Sequence, residues 1–323
     1  MSGWLLRRTA SAIATALAAA AVLFVLVHYL PGDPLAAVLR DRPATPDVLA
    51  ALRQRWCVDC SLPHSFARYF GALAHGDLGP SPSENRPVAM VLAEHLGPTL
   101  LLGALTLLID FTVGLALGLW AALRPQSRAA RMVSALSIAG YAIPAFVVGM
   151  ILVWLFAVTL GWLPPGAIAD PLLPADAPTM TVLFDRLRHL ILPLATMVIA
   201  TIAVPLRQQR AAVLAVAAEP WVLAARARGV PPLAVAWRHC WRPALTPVVT
   251  LLGLWLPMLV AGTVFVESVF AWPGLGSLIA TATEDHDVPL VMGAGLLLIV
   301  MVQLGSLIAD LLYRVVDPAQ RAA

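Results

Sequence analysis

Asp110 lies in Leu107-Leu108-Ile109-Asp110-Phe111-Thr112, in the middle of a long apolar run. A carboxylate in hydrocarbon costs several kcal/mol unless it is paired or faces water. Two readings follow. Either Asp110 lines a pathway and meets a substrate amine or cation, or it is a protonated or hydrogen-bonded acid at a helix contact. In the second case Thr106, Thr112 or a partner subunit would supply the bond. Glu267 and the group Glu284, Asp285, Asp287 form a second acidic feature. It could dock basic residues or attract cations, or simply be a solvated loop end. Cys57-Val58-Asp59-Cys60 allows a local disulfide or two free thiols. His64 and His75 add metal-ligand types nearby, but their spacing does not support a metal site. Cys240 stands apart as a small inert residue.

What is missing narrows the chemistry further. All 21 basic residues are arginine, and there is no lysine. A Walker A phosphate loop needs its lysine, and so does Schiff-base catalysis. The apolar runs hold no Gly-x-Ser-x-Gly elbow and no His-Glu-x-x-His pair. Any ATP-driven work therefore uses an ATP site on another chain. Catalytic residues, a cofactor and a metal are not expected here.

The elements that carry these residues follow from composition. The chain has 323 residues, 60% apolar and 12% charged, with a formal net charge of +3. Mean hydropathy is +0.85. Soluble domains are nearer half apolar and a quarter charged. The composition excludes an ordinary soluble enzyme or a disordered chain and points to a multi-span membrane protein.

A hydrocarbon layer of ~30 Å needs ~20 apolar residues in helix. Six stretches qualify, at 9–30, 97–123, 132–160, 189–206, 244–265 and 288–313, so the expectation is an all-α protein of six transmembrane helices. The first run follows Arg7 and Arg8 like a signal peptide. However, it is too long for one and ends in Tyr29-Leu30-Pro31-Gly32-Asp33-Pro34 without a small-residue cleavage site. It reads as an uncleaved anchor.

Arginine placement sets the orientation. With both termini inside, segments 1–8, 124–131, 207–243 and 314–323 hold 13 of the 21 arginines. The outside segments are then 31–96, 161–188 and 266–287. The first is a 66-residue external subdomain. It has helical stretches near Pro46–Trp56 and Ser65–Leu73 and a polar turn at Pro80–Pro87. Segment 161–188 reads as extended. In the last, Trp272-Pro273-Gly274-Leu275-Gly276 turns into a short helix over 277–283. The domain organisation is therefore 1–30, 31–96, a core of 97–313, and a tail of 314–323.

Loop 207–243 carries the functional argument. Glu219 to Gly229 reads as one short helix. Proline suits its first position, Arg226 and Arg228 suit its C-terminal end, and Gly229 suits its stop. A second short helix is expected over 233–241. The surface, with Trp221, Ala224 and Ala225 on it and arginines at one end, fits docking to a soluble partner. An interfacial helix that anchors the loop to lipid headgroups is the plain alternative.

The run Ala225-Arg226-Ala227-Arg228-Gly229, then Arg238-His239, Arg242, Ala244-Leu245 and Pro247-Val248-Val249-Thr250, resembles the EAA loop of binding-protein-dependent ABC transporter permeases. Other stretches agree in order and spacing: Pro31-Gly32-Asp33-Pro34, Gly76-Asp77-Leu78-Gly79, and His189-Leu190-Ile191-Leu192-Pro193. Glu267-Ser268-Val269-Phe270, Trp272 to Gly276, Asp310 to Tyr313 and Asp317-Pro318 complete the set. The chain is similar to the first permease subunit of the dipeptide/oligopeptide/nickel family. Two positions depart: Leu223 stands where the loop's glutamate would be, and Pro220 where an acid is usual.

The resemblance implies a type I importer permease in the bacterial inner membrane. It would form half of a pathway with a homologous second permease. ATPase subunits binding ATP and Mg would dock on Glu219–Gly229, and an external solute-binding protein would deliver substrate. Peptides are the default substrate, with nickel or a metal chelate the alternative. A stand-alone secondary transporter would need several midplane ionisable residues, and Asp110 alone lies clearly mid-span.

Overall fold

Backbone surrounded by hydrocarbon must hydrogen-bond to itself, and a helix does so within one segment. The computed structural model is accordingly built of helices, and it describes residues 2–29, 47, 50, 53 and 60–316. Of the expected helix near Pro46–Trp56 only Asp47, Ala50 and Arg53 are described, and they are helical, while the Pro31–Pro34, Cys57 and Asp317–Pro318 positions lie outside the described residues. The chain divides into two compact units, Met1–Thr99 with Pro273–Gln303 and Leu100–Trp272 with Leu304–Ala323.

In the first unit, α1 (Ser2–His28) carries Phe24, whose ring meets those of Phe66 at 5.4 Å and Tyr69 at 5.5 Å on α2 (Leu62–Ala74). Offset and edge-on aromatic pairs of this kind prefer such separations. Two short antiparallel strands follow, β1 (Pro80–Ser81) and β2 (Arg86–Pro87). Their turn uses Asn85 at φ +53. Then α3 (Val88–Ile109) begins, nine residues before the expected apolar boundary at 97.

Val88, Val91 and Leu92 of α3 pack with Leu275 and Leu278 of α12 (Leu275–Glu284) and Leu290 of α13 (Val288–Val316). Asp287 fastens this group. Its Oδ2 accepts from the Ser81 hydroxyl at 2.5 Å, the Ser83 hydroxyl at 2.6 Å and the Ser83 N–H at 3.1 Å. Its Oδ1 accepts from Leu290 N–H at 3.0 Å, which caps α13. Asp287 is fully buried. The acidic loop is thus not a uniformly solvated end, because one of its acids is the anchor of the hairpin.

In the second unit, a π-turn over Asp110–Gly114 joins the rest of α3 to α4 (Leu115–Leu123). A single π-type turn within an α-helical run is rare and is found most often at functional positions. Next come α5 (Arg128–Ala142) and α6 (Ala145–Leu152), which runs into a second π-turn over Val153–Thr159. Pro144 forces Ile143 into an extended conformation, φ −85 and ψ 131. The pair is bent by 105° there, so the expected third span is broken in two.

Helix α7 (Thr179–Thr201) begins ten residues before its expected start. It meets α8 (Ala203–Ala217) at a 41° bend. Two residues cause that bend. Pro205 has no N–H to give to the preceding turn, and the Thr201 hydroxyl donates to the Met197 carbonyl at 2.7 Å.

The remaining elements are α9 (Pro220–Ala227), α10 (Pro232–Val235), a third π-turn over Ala236–Cys240, and α11 (Trp241–Val269). The helix expected over 233–241 therefore runs unbroken into α11.

By length and composition, three continuous helices among the described residues could cross a membrane, or five if each bent pair is one span. Helices α4 and α8 approach closely. A Cβ at Gly118 would lie 2.5 Å from the Leu206 carbonyl oxygen and 2.9 Å from Gln209 Cβ.

Gly118→Ala should therefore lower the melting midpoint of the detergent-purified chain, at a cost of about 2 kcal/mol from overpacking. Gly103→Ala should leave it unchanged, since a Cβ there meets nothing within 4 Å. Asp287→Ala should leave the Ser81 hydroxyl buried without its acceptor, and limited proteolysis should then cut within 80–87 where the wild-type chain resists.

Candidate functional site

Helix α9 is defined by its ends. Glu219 stands at its N-cap with extended backbone, φ −65 and ψ 142, and Pro220 fills the first position. The Glu219 carbonyl accepts from Val222 N–H at 3.0 Å, while its side chain makes no capping bond. At the other end Gly229 adopts φ +79. Its N–H donates to Arg226 O at 2.9 Å, and Val230 N–H donates to Ala225 O at 3.3 Å. This is the Schellman pattern, which needs a left-handed residue at the position glycine holds. Pro231 and Pro232 follow, so the helix cannot extend.

One face of α9 is buried and the other is open. Val222 packs with Leu119 and Ala122 of α4, Val213 of α8, Val235, Cys240 and Ala244, and Ala225 is fully buried. Trp221 is 44% and Leu223 50% exposed. Ala224, Arg226 and Arg228 are exposed beside them, and so are Arg238 and Arg242. None of these four arginines has an ion-pair partner among the described residues. His239 stands edge-on to Trp221, ring centroids 6.2 Å apart. Exposed apolar side chains rimmed by free cations are the make-up of a docking surface. Nothing catalytic is gathered here. Burial pushes the Cys240 thiol up, with Arg226 pulling weakly the other way.

The two acids singled out for a pathway are both fully buried: neither Asp110 nor Glu267 has any exposed surface. Thr106 and Thr112 do not bond Asp110 either. Their hydroxyls donate to the carbonyls of Leu102 at 2.8 Å and Leu108 at 2.6 Å, one turn back in their own helix. The groups that face the Asp110 carboxyl are Thr201 and Trp255, which sequence spacing does not pair with it. Both carboxyl oxygens lack a hydrogen bond, and so does Trp255 Nε1. Cys60 is in a disulfide and Cys240 is not. Among the described residues no His, Cys, Asp and Glu cluster could hold a metal.

One polar concavity escaped sequence reading. A cavity of about 460 Å³ is lined by Asp170, Asp185, Arg188 and His189 together with the Gly161–Pro171 loop. Asp185 Oδ2 accepts from Asp170 N–H at 2.9 Å. His189 Nδ1 lies 2.9 Å from the Asp185 carbonyl and 3.3 Å from its Oδ1. Arg188 donates to Trp162 O at 2.8 Å. The available signal was Asp185, Arg188 and His189 at helical spacing, which places them on adjoining faces of one helix. Segment 161–188 reads as extended, and this hides it.

A family model described as the binding-protein-dependent transport system inner membrane component matches residues 114–322. A second model, for the N-terminal part of such components, matches residues 1–91. The chain belongs to the binding-protein-dependent transport system inner membrane components. This permease is 35% identical over 320 residues to a Brucella ovis protein named as a peptide permease, with 98% of each chain covered. It is also 35% identical over 321 residues to the glutathione transport system permease protein GsiC of Escherichia coli K12, with 99% of each covered. Its fold matches a chain of the MetNI methionine ABC transporter in an inward facing conformation. The TM-score is 0.51 at 20% identity, over 71% of this chain and 97% of that one. The permease is therefore a multi-pass inner-membrane subunit of an ABC importer with the type I fold.

Because Cys240 is buried and its thiol held protonated, it should react slowly with a maleimide at neutral pH in the folded permease. It should react fully once detergent-unfolded. Rapid labelling of folded protein would show the α9 packing to be open.

Proposed function

We propose that the permease forms half of a pathway that imports di- or oligopeptides, with a homologous second permease forming the other half. In this reading the chain crosses the membrane six times, α11 adding to the spans counted above, with both termini and loop 207–243 in the cytoplasm. A solute-binding protein delivers peptide to the outer face, including the subdomain of 31–96. ATPase subunits, which alone bind ATP and Mg, dock on the open face of α9 and are gripped by Arg226, Arg228, Arg238 and Arg242. Nucleotide binding closes the ATPases, moves α9, and switches the two permeases between outward- and inward-facing states.

The observation that carries this is the two-faced α9. Its buried side ties it to α4 and α8, and its exposed side offers Trp221 and Leu223 to a partner. Full-length similarity to proteins named for peptide and glutathione transport supports the substrate class. Glutathione is itself a peptide.

The test is to tag the C-terminus, solubilise native membranes in mild detergent and identify what co-purifies by mass spectrometry. A second permease and one or two ATPases with Walker motifs are expected. Leu223→Asp places a charge in the docking face and should lower ATPase recovery by roughly tenfold, equivalent to about 1.4 kcal/mol, without lowering recovery of the second permease. Purification of this chain alone, where a control importer stays whole, would overturn the assembly. Uptake of labelled peptides then separates the substrates. Competition by nickel salts and not by peptides would replace the peptide reading with the metal one.

A further inference from the structure

Two helix irregularities meet inside the second unit. The π-turn Asp110–Gly114 lies against the bend between α7 and α8: a Cβ at Gly114 would be 3.2 Å from Ile202 Cγ1 and 3.4 Å from Pro205. Asp110 is the ionisable group at this junction. It is fully buried, and neither oxygen has a hydrogen bond. Thr201, at the bend itself, and Trp255 of α11 face it.

Among the described residues no counter-charge is at hand. On α8, Arg207 is exposed, and Arg210 lies level with Gly118, two turns or about 12 Å from Asp110. Along α7, His189 is twelve residues from Thr201. Along α11, Arg242 and Glu267 are thirteen and twelve residues from Trp255. Each of these separations is roughly 18–20 Å at helical rise. An ionised carboxylate sealed there without a partner is excluded by its desolvation cost.

The facing groups match a neutral acid instead. The Thr201 hydroxyl hydrogen is committed to the Met197 carbonyl at 2.7 Å, so its oxygen is left to accept. Trp255 Nε1–H can only donate, and it has no acceptor. A carboxylic acid has one O–H to give and one carbonyl oxygen to receive. A neutral acid at Asp110 therefore has the donor and the acceptor that these two groups lack.

We propose that Asp110 is a proton-holding site within the membrane-spanning bundle, a neutral carboxylic acid that donates to Thr201 and accepts from Trp255 and thereby latches the π-turn of the second helix run to the α7–α8 bend. Helix α8 leads through two residues, Ala218 and Glu219, into α9. The latch therefore positions the lever between the docking face and the bundle, and it touches no substrate.

The decisive variants are Asp110→Asn, which keeps one donor and one acceptor, and Asp110→Ala, which keeps neither. In the infrared spectrum of the purified wild-type permease at neutral pH, a carboxylic-acid C=O band is expected that is missing from Asp110→Asn. This readout needs no substrate or partner, so it stands apart from the peptide-import reading. In cells carrying the whole transport system, Asp110→Asn should take up solute within about twofold of wild type. Asp110→Ala and Trp255→Phe should fall by roughly tenfold, since each leaves a buried polar group unpaired. Absence of the acid band overturns the proposal. So does an Asp110→Asn uptake as low as that of Asp110→Ala, because the residue would then be working as a charge. If Asp110→Ala does not accumulate in the membrane, the infrared comparison and the Asp110→Asn uptake still decide.

Discussion

The contact between α4 and α8 at Gly118 sets the geometry of everything below it. Only hydrogen occupies the space where a Cβ would strike the Leu206 carbonyl, so the two backbones approach as far as backbones can. Small residues serve this purpose in lipid, where helices gain little from excluding water and must rely on close packing. Leu119 and Ala122 on α4 and Val213 on α8 continue the contact, and α9 buries Val222 against the same group. Helix α9 is thus attached to a helix pair with little room to slide, and a displacement of α9 becomes a displacement of the pair.

The bends follow from a second constraint, that a helix ladder tolerates only certain interruptions. Ile143 before Pro144 is extended for steric reasons. Thr201 and Pro205 together open the ladder between α7 and α8. The first π-turn lies beside that opening, so two weak places in adjacent helices support one another. Helices of this kind can hinge without exposing backbone polar groups to hydrocarbon, because the freed groups stay among neighbours.

The sequence made the helices legible where apolar composition runs the full length, as in α1 and α13. It misplaced boundaries where a helix leaves the hydrocarbon with charges on it. α7 starts at Thr179 because Asp185, Arg186 and Arg188 are no obstacle to helix, only to a hydropathy threshold. α3 starts at Val88 for the same reason, carrying Glu94 and His95. Helix α9 was legible almost to the residue, since Pro220 and Gly229 are local backbone signals that need no tertiary context. Partners distant in sequence were not: Asp287 with Ser81 is separated by 206 residues, and nothing in composition pairs Asp110 with Thr201 and Trp255. The acids were visible; what each one faces is a property of the packing.

Helix α9 is stopped at one end by a proline and at the other by a left-handed glycine, and held from beneath by two small side chains. Its shape therefore does not depend on the residues it shows to solvent. Leu223, which departs from the pattern the resemblance sets, changes what a partner meets without changing where the helix stands. A lineage of such permeases can rewrite this face one side chain at a time, while the helices beneath it remain the same.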